Sequence, residues 1–317
     1  MDINTNTKEF KVGDYLEGVY LLDSFTVRPI ASGRSTIMLA NLRDKAGAIG
    51  CKIWNYDGSL TTEDVGKAVY AAGPVGEYNG ALQVTLDELR LATPEEEQAT
   101  IDRLVPTAPD AENGLWSIIM AAMNDMQDPD YRKICQVMME EKKGLFRTIP
   151  AGKSVHHAFV RGLLMHTANM VKIATCLKGI YGDFIDQDLL MAGTILHDIG
   201  KLKEFDLSPL GLVTAYSTDG QLLGHLVLGA QAVADTAREL GMPGEKSRLL
   251  QHLLLSHHGE PEFGAAVRPI CAEAQLLSYI DLIDSRMESY REQLDKMKVG
   301  EVTNILPAFG GRVYKHF

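Results

Sequence analysis

The chain has 317 residues, 45% of them hydrophobic, and a formal net charge of −11. That length allows two domains with their own cores, and the acidic balance argues against tight nonspecific duplex binding while leaving room for an enzyme that takes single strands in a local groove. Four scattered cysteines without C-x-x-C spacing exclude a zinc knuckle or disulfide framework and fit a reducing cytoplasm, and no apolar run reaches membrane-spanning length.

Residues 1–95 read as all-β. Val12 to Leu22 is the first strand expected, and Ser35 to Arg43 the second. The turn Asp44-Lys45-Ala46-Gly47 leads into a third, Ala48 to Trp54. Lys67 to Gly73 is a fourth short run; after the turn Tyr78-Asn79-Gly80, Ala81 to Leu91 closes the set. Five short strands, with a small helix at Ser59 to Val65, fit an OB-fold β-barrel. The stretch Leu39 to Trp54 (LANLRDKAGAIGCKIW) resembles nucleic-acid-binding OB-folds of the tRNA-anticodon-binding type. Trp54, Tyr56 and Tyr78 are therefore candidate stacking platforms for bases, competing with a plain core role.

Residues 96–150 read as a linker and bracing helices. Thr93-Pro94-Glu95-Glu96 is a helix opening, with proline at the first turn and acids beside it. From Gly114, apolar residues recur at helical spacing (Trp116, Ile119, Met120, Met123, then Tyr131, Ile134, Val137, Met138), a stripe that belongs to a core. Residues 151–295 read as helix after helix: Lys153 to Leu177, Gln187 to Glu204, Leu222 to Leu240, Lys246 to Ser256 and Cys271 to Met287. Gly259 is a C-cap candidate that places His257 and His258 at a helix end. The tail, 296–317, has few periodic signals and receives no role.

The chemistry centres on Thr194-Ile195-Leu196-His197-Asp198-Ile199-Gly200-Lys201. Imidazole nitrogen and carboxylate oxygen both bind divalent transition metals. Adjacent helical residues lie about 100° apart, so both side chains can reach one ion over a helix end. His166 precedes this pair; His225, His257, His258 and Asp281 follow it. His252, off the face of His257, and His316, in the tail, are left out. Lys201 stands three residues after Asp198, on the same helical face, and is a candidate for holding a nonbridging phosphate oxygen.

The order H…HD…H…HH…D resembles the HD superfamily of metal-dependent phosphohydrolases, in its two-metal variant. That resemblance implies His166, His197, Asp198 and Asp281 on a first ion and His225, His257 and His258 on a second, with Asp198 bridging and metal-bound hydroxide as the nucleophile. Three further stretches narrow the match: His156 to Thr167, Thr218 to His225 and Leu255 to Gly259. With an OB-fold ahead of them, they closely resemble the YhaM family of bacterial 3′→5′ exoribonucleases. The family implies manganese, with cobalt, iron or nickel as other ions of such a site. It also implies single-stranded RNA as substrate, single-stranded DNA being a second candidate, with no membrane partner. A processive enzyme needs both domains on one strand path, which a homo-oligomer would also supply. Arg161 and Met165 depart from the family pattern; Arg161, with His156 and His157, is a candidate substrate contact. The rival expectations are a phosphohydrolase of small nucleotides or cyclic dinucleotides, and a non-enzymatic single-strand-binding protein.

Overall fold

The computed structural model describes residues 5–29, 36–56, 58–108, 114–153 and 157–317. The chain divides into two compact units, residues 1–107 with 207–212 and residues 108–206 with 213–317.

The first unit is built on β1 (Tyr15–Pro29), β2 (Thr36–Arg43), β3 (Ala48–Trp54), β4 (Ala68–Tyr78), β5 (Ala81–Thr85) and β6 (Glu88–Leu91). The pairings run β1-β2-β3-β5-β4 and return from β4 to β1, which closes the ring of an OB-type barrel; β3 and β5 are parallel, the rest antiparallel. Alternation drives the closure. Met38, Ala40 and Leu42 of β2 point inward with Leu16, Tyr20, Leu22, Val69, Ala71 and Val84, while Asn41 and Arg43 of β2 are exposed.

Two strand expectations are corrected. The first strand runs on to Pro29, because an irregularity between Leu22 and Ser24 restores the alternation and lets Phe25 face the core. The single strand expected over 81–91 is two. The break at Leu86-Asp87 frees β5 to turn to β3, while β6 stays on β4 beside Val69–Ala72. The helix opening at Thr93 begins α1 (Pro94–Leu104), with a reciprocal Thr93–Glu96 capping box. This first part of the expected linker belongs to the barrel unit: the Arg103 guanidinium lies 4.5 Å over the Tyr20 ring and 3.3 Å from Asp44.

The second unit contains α2 (Gly114–Asp125), α3 (Pro129–Phe146), α4 (Gly162–Tyr181), α5 (Gln187–Leu196), α6 (Lys201–Glu204), α7 (Thr218–Leu222), α8 (Gly224–Glu239), α9 (Gly244–Ser256) and α10 (Ala272–Asp295). The short strands β7 (Phe205–Leu207) and β8 (Val213–Tyr216), which pair with each other, follow α6. Helix α5 is central: Leu189 through Leu196 are all buried, and α2, α3, α4, α9 and α10 pack around them. Among the described residues no helix is long and apolar enough to cross a membrane.

Here too the boundaries differ from expectation. The helix expected from Lys153 starts only at Gly162, because His157 and Arg161 take left-handed backbone conformations that end any helix before it. The helix expected over 187–204 breaks at Leu196, so His197 and Asp198 sit in the turn between α5 and α6.

Candidate metal centre

Asp198 stands between two groups of imidazoles. Its Oδ2 lies 3.2 Å from His197 Nε2 and 3.8 Å from His166 Nε2; its Oδ1 lies 3.5 Å from His225 Nε2 and 3.7 Å from His257 Nε2. Asp281, from α10, brings Oδ1 to 3.3 Å from His166 Nε2. Candidate ligand atoms of His225, His257 and His258 all lie within 4.8 Å of one another, as do those of His166, His197 and Asp198. All seven residues singled out as ligands thus gather in one place, although they come from α4, the α5–α6 turn, α8, the end of α9 and α10.

What aims the rings is a set of acceptors behind them. His197 Nδ1 donates to the Thr194 carbonyl at 2.9 Å and His257 Nδ1 to the Leu254 carbonyl at 2.8 Å. His166 Nδ1 donates to Asp284 Oδ2 at 2.7 Å, and His225 Nδ1 to Glu204 Oε1 at 3.0 Å. A carbonyl or ionised carboxylate only accepts, so each bond fixes a proton on Nδ1 and turns Nε2 toward the cluster. Asp284 and Glu204 were not foreseen from the sequence. Asp284 had one available signal, its place one helical turn after Asp281; Glu204 stands in the same relation to Lys201.

The donor set fits divalent metal ions. His166 Nε2 and His197 Nε2 face each other at 3.2 Å. Two nitrogens each about 2.1 Å from one ion lie roughly 3.0–3.4 Å apart at ordinary coordination angles, so this spacing fits a shared ion. Asp198 Oδ1, His225 Nε2 and His258 Nδ1 are buried without a hydrogen bond among the described residues, a costly arrangement unless a cation completes it. Five imidazoles and two carboxylates, with no thiolate, suit borderline first-row ions.

The electrostatics agree. Burial, reinforced by His258 and His197, pushes His257 well below its usual range, and burial with His225 lowers His258, so both stay neutral and able to donate lone pairs. Burial works against the charge of Asp198, yet Lys201 and His197 hold its carboxyl well below the usual range; Asp281 is likewise held low by His166 despite burial. His166 is the exception. Burial opposes its charge, but the hydrogen bonds to Asp281 and Asp284 and the nearby carboxylate charges outweigh that and raise it to about 9.

In the metal-free protein His166 therefore holds a proton at neutral pH, standing where a cation is wanted. Because its folded pKa lies above the unfolded value, the stabilisation from that proton is complete below about pH 6.5 and is lost as pH rises through about 9. Metal binding at pH 7 should then release close to one proton from this residue. Calorimetric titration with manganese in two buffers of different ionisation enthalpy measures the release; identical heats in both would contradict it.

A cleft of about 460 Å³ opens onto the cluster, lined by Asp198, Lys201, His257, His258 and Asp281 and by further residues of α10. Lys201 Nζ is 2.6 Å from Asp198 Oδ2 and mostly buried, at the cleft floor. The other expected substrate contacts are redistributed. His157 is fully buried, with Nε2 2.7 Å from Asp284 Oδ2; the left-handed turn at 157 directs its ring behind His166, so it supports the cluster and is corrected from a substrate contact. Arg161 sits at the N-terminal cap of α4 and is not among the residues lining the cleft. His156 lies outside the described residues. On the barrel, Trp54 and Tyr78 are 50% and 60% exposed, with Lys52 Nζ 5.6 and 5.7 Å from their rings. Tyr56 is half-buried at the edge of the core: its ring packs edge-on against Phe25, and its hydroxyl donates to the Leu60 carbonyl at 2.9 Å.

Comparison with known proteins adds to this geometry. Residues 163–286 match the family model of the HD domain. The 3′-5′ exoribonuclease YhaM of Bacillus subtilis (strain 168) is 33% identical over 308 residues, covering 96% of this chain and 95% of that protein. The protein of the same name from Bacillus velezensis is 34% identical over 307 residues (96% and 95%), and that from Halalkalibacterium halodurans 32% over 306 (96% and 94%).

Proposed function

The chain belongs to the YhaM family of 3′-5′ exoribonucleases, and we propose that it is a metal-dependent hydrolase that removes nucleotides from the 3′ end of single-stranded RNA as nucleoside 5′-monophosphates. The observation that carries the reading is Asp198, whose two oxygens each face a separate group of imidazoles at the floor of one open cleft. In it, His166, His197, Asp198 and Asp281 would hold one ion, and His225, His257 and His258, with Asp198, would hold a second; we take manganese as the ion. Such a pair supplies an activated water at neutral pH and Lewis acidity toward a phosphoryl oxygen.

The chain's own groups do the rest. Asp284, Glu204 and the carbonyls of Thr194 and Leu254 keep four imidazoles in one tautomer and orientation, which spares reorganisation during reaction. Lys201, pinned by Asp198, presents its ammonium to a nonbridging oxygen of the scissile phosphate. The two carboxylates among seven ligands leave the loaded site net positive, as an anionic phosphodiester requires. Polarity of attack follows from how the strand threads and rests on the family relation.

A 5′-labelled single strand of RNA incubated with manganese should give a ladder of progressively shorter labelled products, slowed by a 3′-phosphate. A 5′-labelled mononucleotide as first product, or cuts in a circular strand, would overturn the direction. Free nucleotides turned over faster than strands would favour the small-nucleotide alternative, and binding without degradation the non-enzymatic one. Single-stranded DNA in the same assay measures sugar preference.

The barrel is assigned the strand-gathering role through Trp54, Tyr78 and the lysine between them. Aromatic–base stacking is worth about 1–3 kcal/mol per base. Replacing both residues by alanine should therefore weaken binding of a long single strand roughly a hundredfold, far more than it slows cleavage of a dinucleotide. Fluorescence anisotropy and dinucleotide turnover compare the two, and equal losses would assign the rings a structural role.

A further inference from the structure

Resting on the exonuclease reading, we propose that Arg286 binds the phosphodiester on the 5′ side of the scissile one, and that the C-terminal tail positions it there. The cleft continues from the metal cluster along α10. Asp281 faces the cluster, and Arg286, five residues on and about 7.5 Å further along the helix axis, lines the same cleft. Leu282, half-exposed, forms an apolar ledge between the two, and Tyr279, also half-exposed, flanks Asp281 on its other side. Cluster, ledge and guanidinium thus repeat the order phosphate, nucleoside, phosphate along one helix.

The cleft's cations are Lys201 and Arg286. Lys201 is already held by Asp198, whereas Arg286 makes no ion pair with a carboxylate among the described residues. In a chain of net charge −11, attraction for a strand at this point has to be local, and a guanidinium suits a phosphate. The 3′-terminal nucleotide ends in a hydroxyl. The only second phosphate within one nucleotide of the scissile linkage is therefore the next one in the 5′ direction.

The tail fixes this arginine. Arg286 Nη1 donates to the Ala308 carbonyl at 2.5 Å. That carbonyl is held in turn by neighbouring contacts: Phe309 packs edge-on against Tyr290 of α10 with ring centroids 4.6 Å apart, and bridges pair Leu306 with Gly311 and Val302 with Tyr314. Lys315 Nζ donates to the Leu294 carbonyl. This bond to the tail removes rotamer freedom before substrate arrives.

The test is a coupling measurement by binding. Two 5′-fluorescein trinucleotides carry a non-cleavable but anionic 3′-methylenephosphonate at the terminal linkage. One has a native phosphodiester at the other linkage, and the second a neutral methylphosphonate. Anisotropy with manganese-loaded full-length protein gives the dissociation constants. Neutralising that linkage should weaken wild-type binding about ten- to hundredfold. Arg286→Ala should weaken binding of the native strand similarly and be indifferent to neutralisation, with Arg286→Lys between them. Phe309→Ala, which loosens the tail, should reduce the coupling in part and raise KM for cleavable strands with little change in kcat. Additive losses in Arg286→Ala, or a wild-type protein that does not distinguish or bind the strands, would overturn the subsite. Binding reports the subsite whether or not a strand is cut, so a failed 5′-label ladder with intact coupling would count against the exonuclease reading alone.

Discussion

Asp198→Asn should lower kcat/KM on single-stranded RNA by more than about 10³-fold and strip the protein of both ions, while His225→Ala loses mainly one. The two variants differ because Asp198 serves both groups, with Oδ2 toward His166 and His197 and Oδ1 toward His225 and His257. An amide keeps the shape but surrenders the charge that balances Lys201 and the ions, and several kcal/mol of transition-state stabilisation corresponds to at least three decades in rate. Helix content should survive, because α5 is held by the buried run Leu189–Leu196 and not by the ions. Elemental analysis, far-UV circular dichroism and turnover together check the claim. Retention of both ions by Asp198→Asn would refute the proposal that Asp198 bridges them.

Gly200→Ala should be the most damaging single-methyl change near the site. A Cβ at Gly200 would stand 2.0 Å from the His225 carbonyl oxygen and 2.7 Å from the Gly229 amide nitrogen. Both are backbone atoms of α8, so no rotamer change relieves the clash and the α5–α6 turn must move away from α8. That movement separates Asp198 from His225, which are 3.5 Å apart across this contact. Overpacking costs typically about 1–3 kcal/mol, and a backbone clash belongs at the upper end or beyond. The variant should show a lower urea midpoint and a selective loss of the second ion. A stability and metal content equal to wild type would mean that the close approach is not needed. The glycine two residues after Asp198 is thus a packing residue with a consequence for chemistry.

Much of this site was legible before the fold was known. Ligand chemistry depends on residue type, so five histidines and two aspartates set at the ends of apolar stretches could be picked out along the chain, and the structure brings these seven together. Strand alternation in residues 36–54 likewise follows from which side chains avoid water, and β2 and β3 lie where that alternation placed them. Boundaries were less legible, since the helix over 187–204 breaks for the sake of a turn that its own apolar pattern does not announce.

The sequence by itself determined which groups can bind metal, their order, and the succession of a β-rich unit and a helical one, because composition and periodicity are local properties. Only the tertiary structure decided which groups stand behind the ligands. Asp284 accepts from His166 and His157, 118 and 127 positions away, and Glu204 from His225, 21 away. Carboxylates at such separations look like any surface acid until the helices pack. The same holds for His157, buried where a substrate contact was expected, and for Arg286, given its place by a tail carbonyl 22 positions on. Direction, orientation and reach depend on backbone paths set by packing, and those are not written in the spacing of residues.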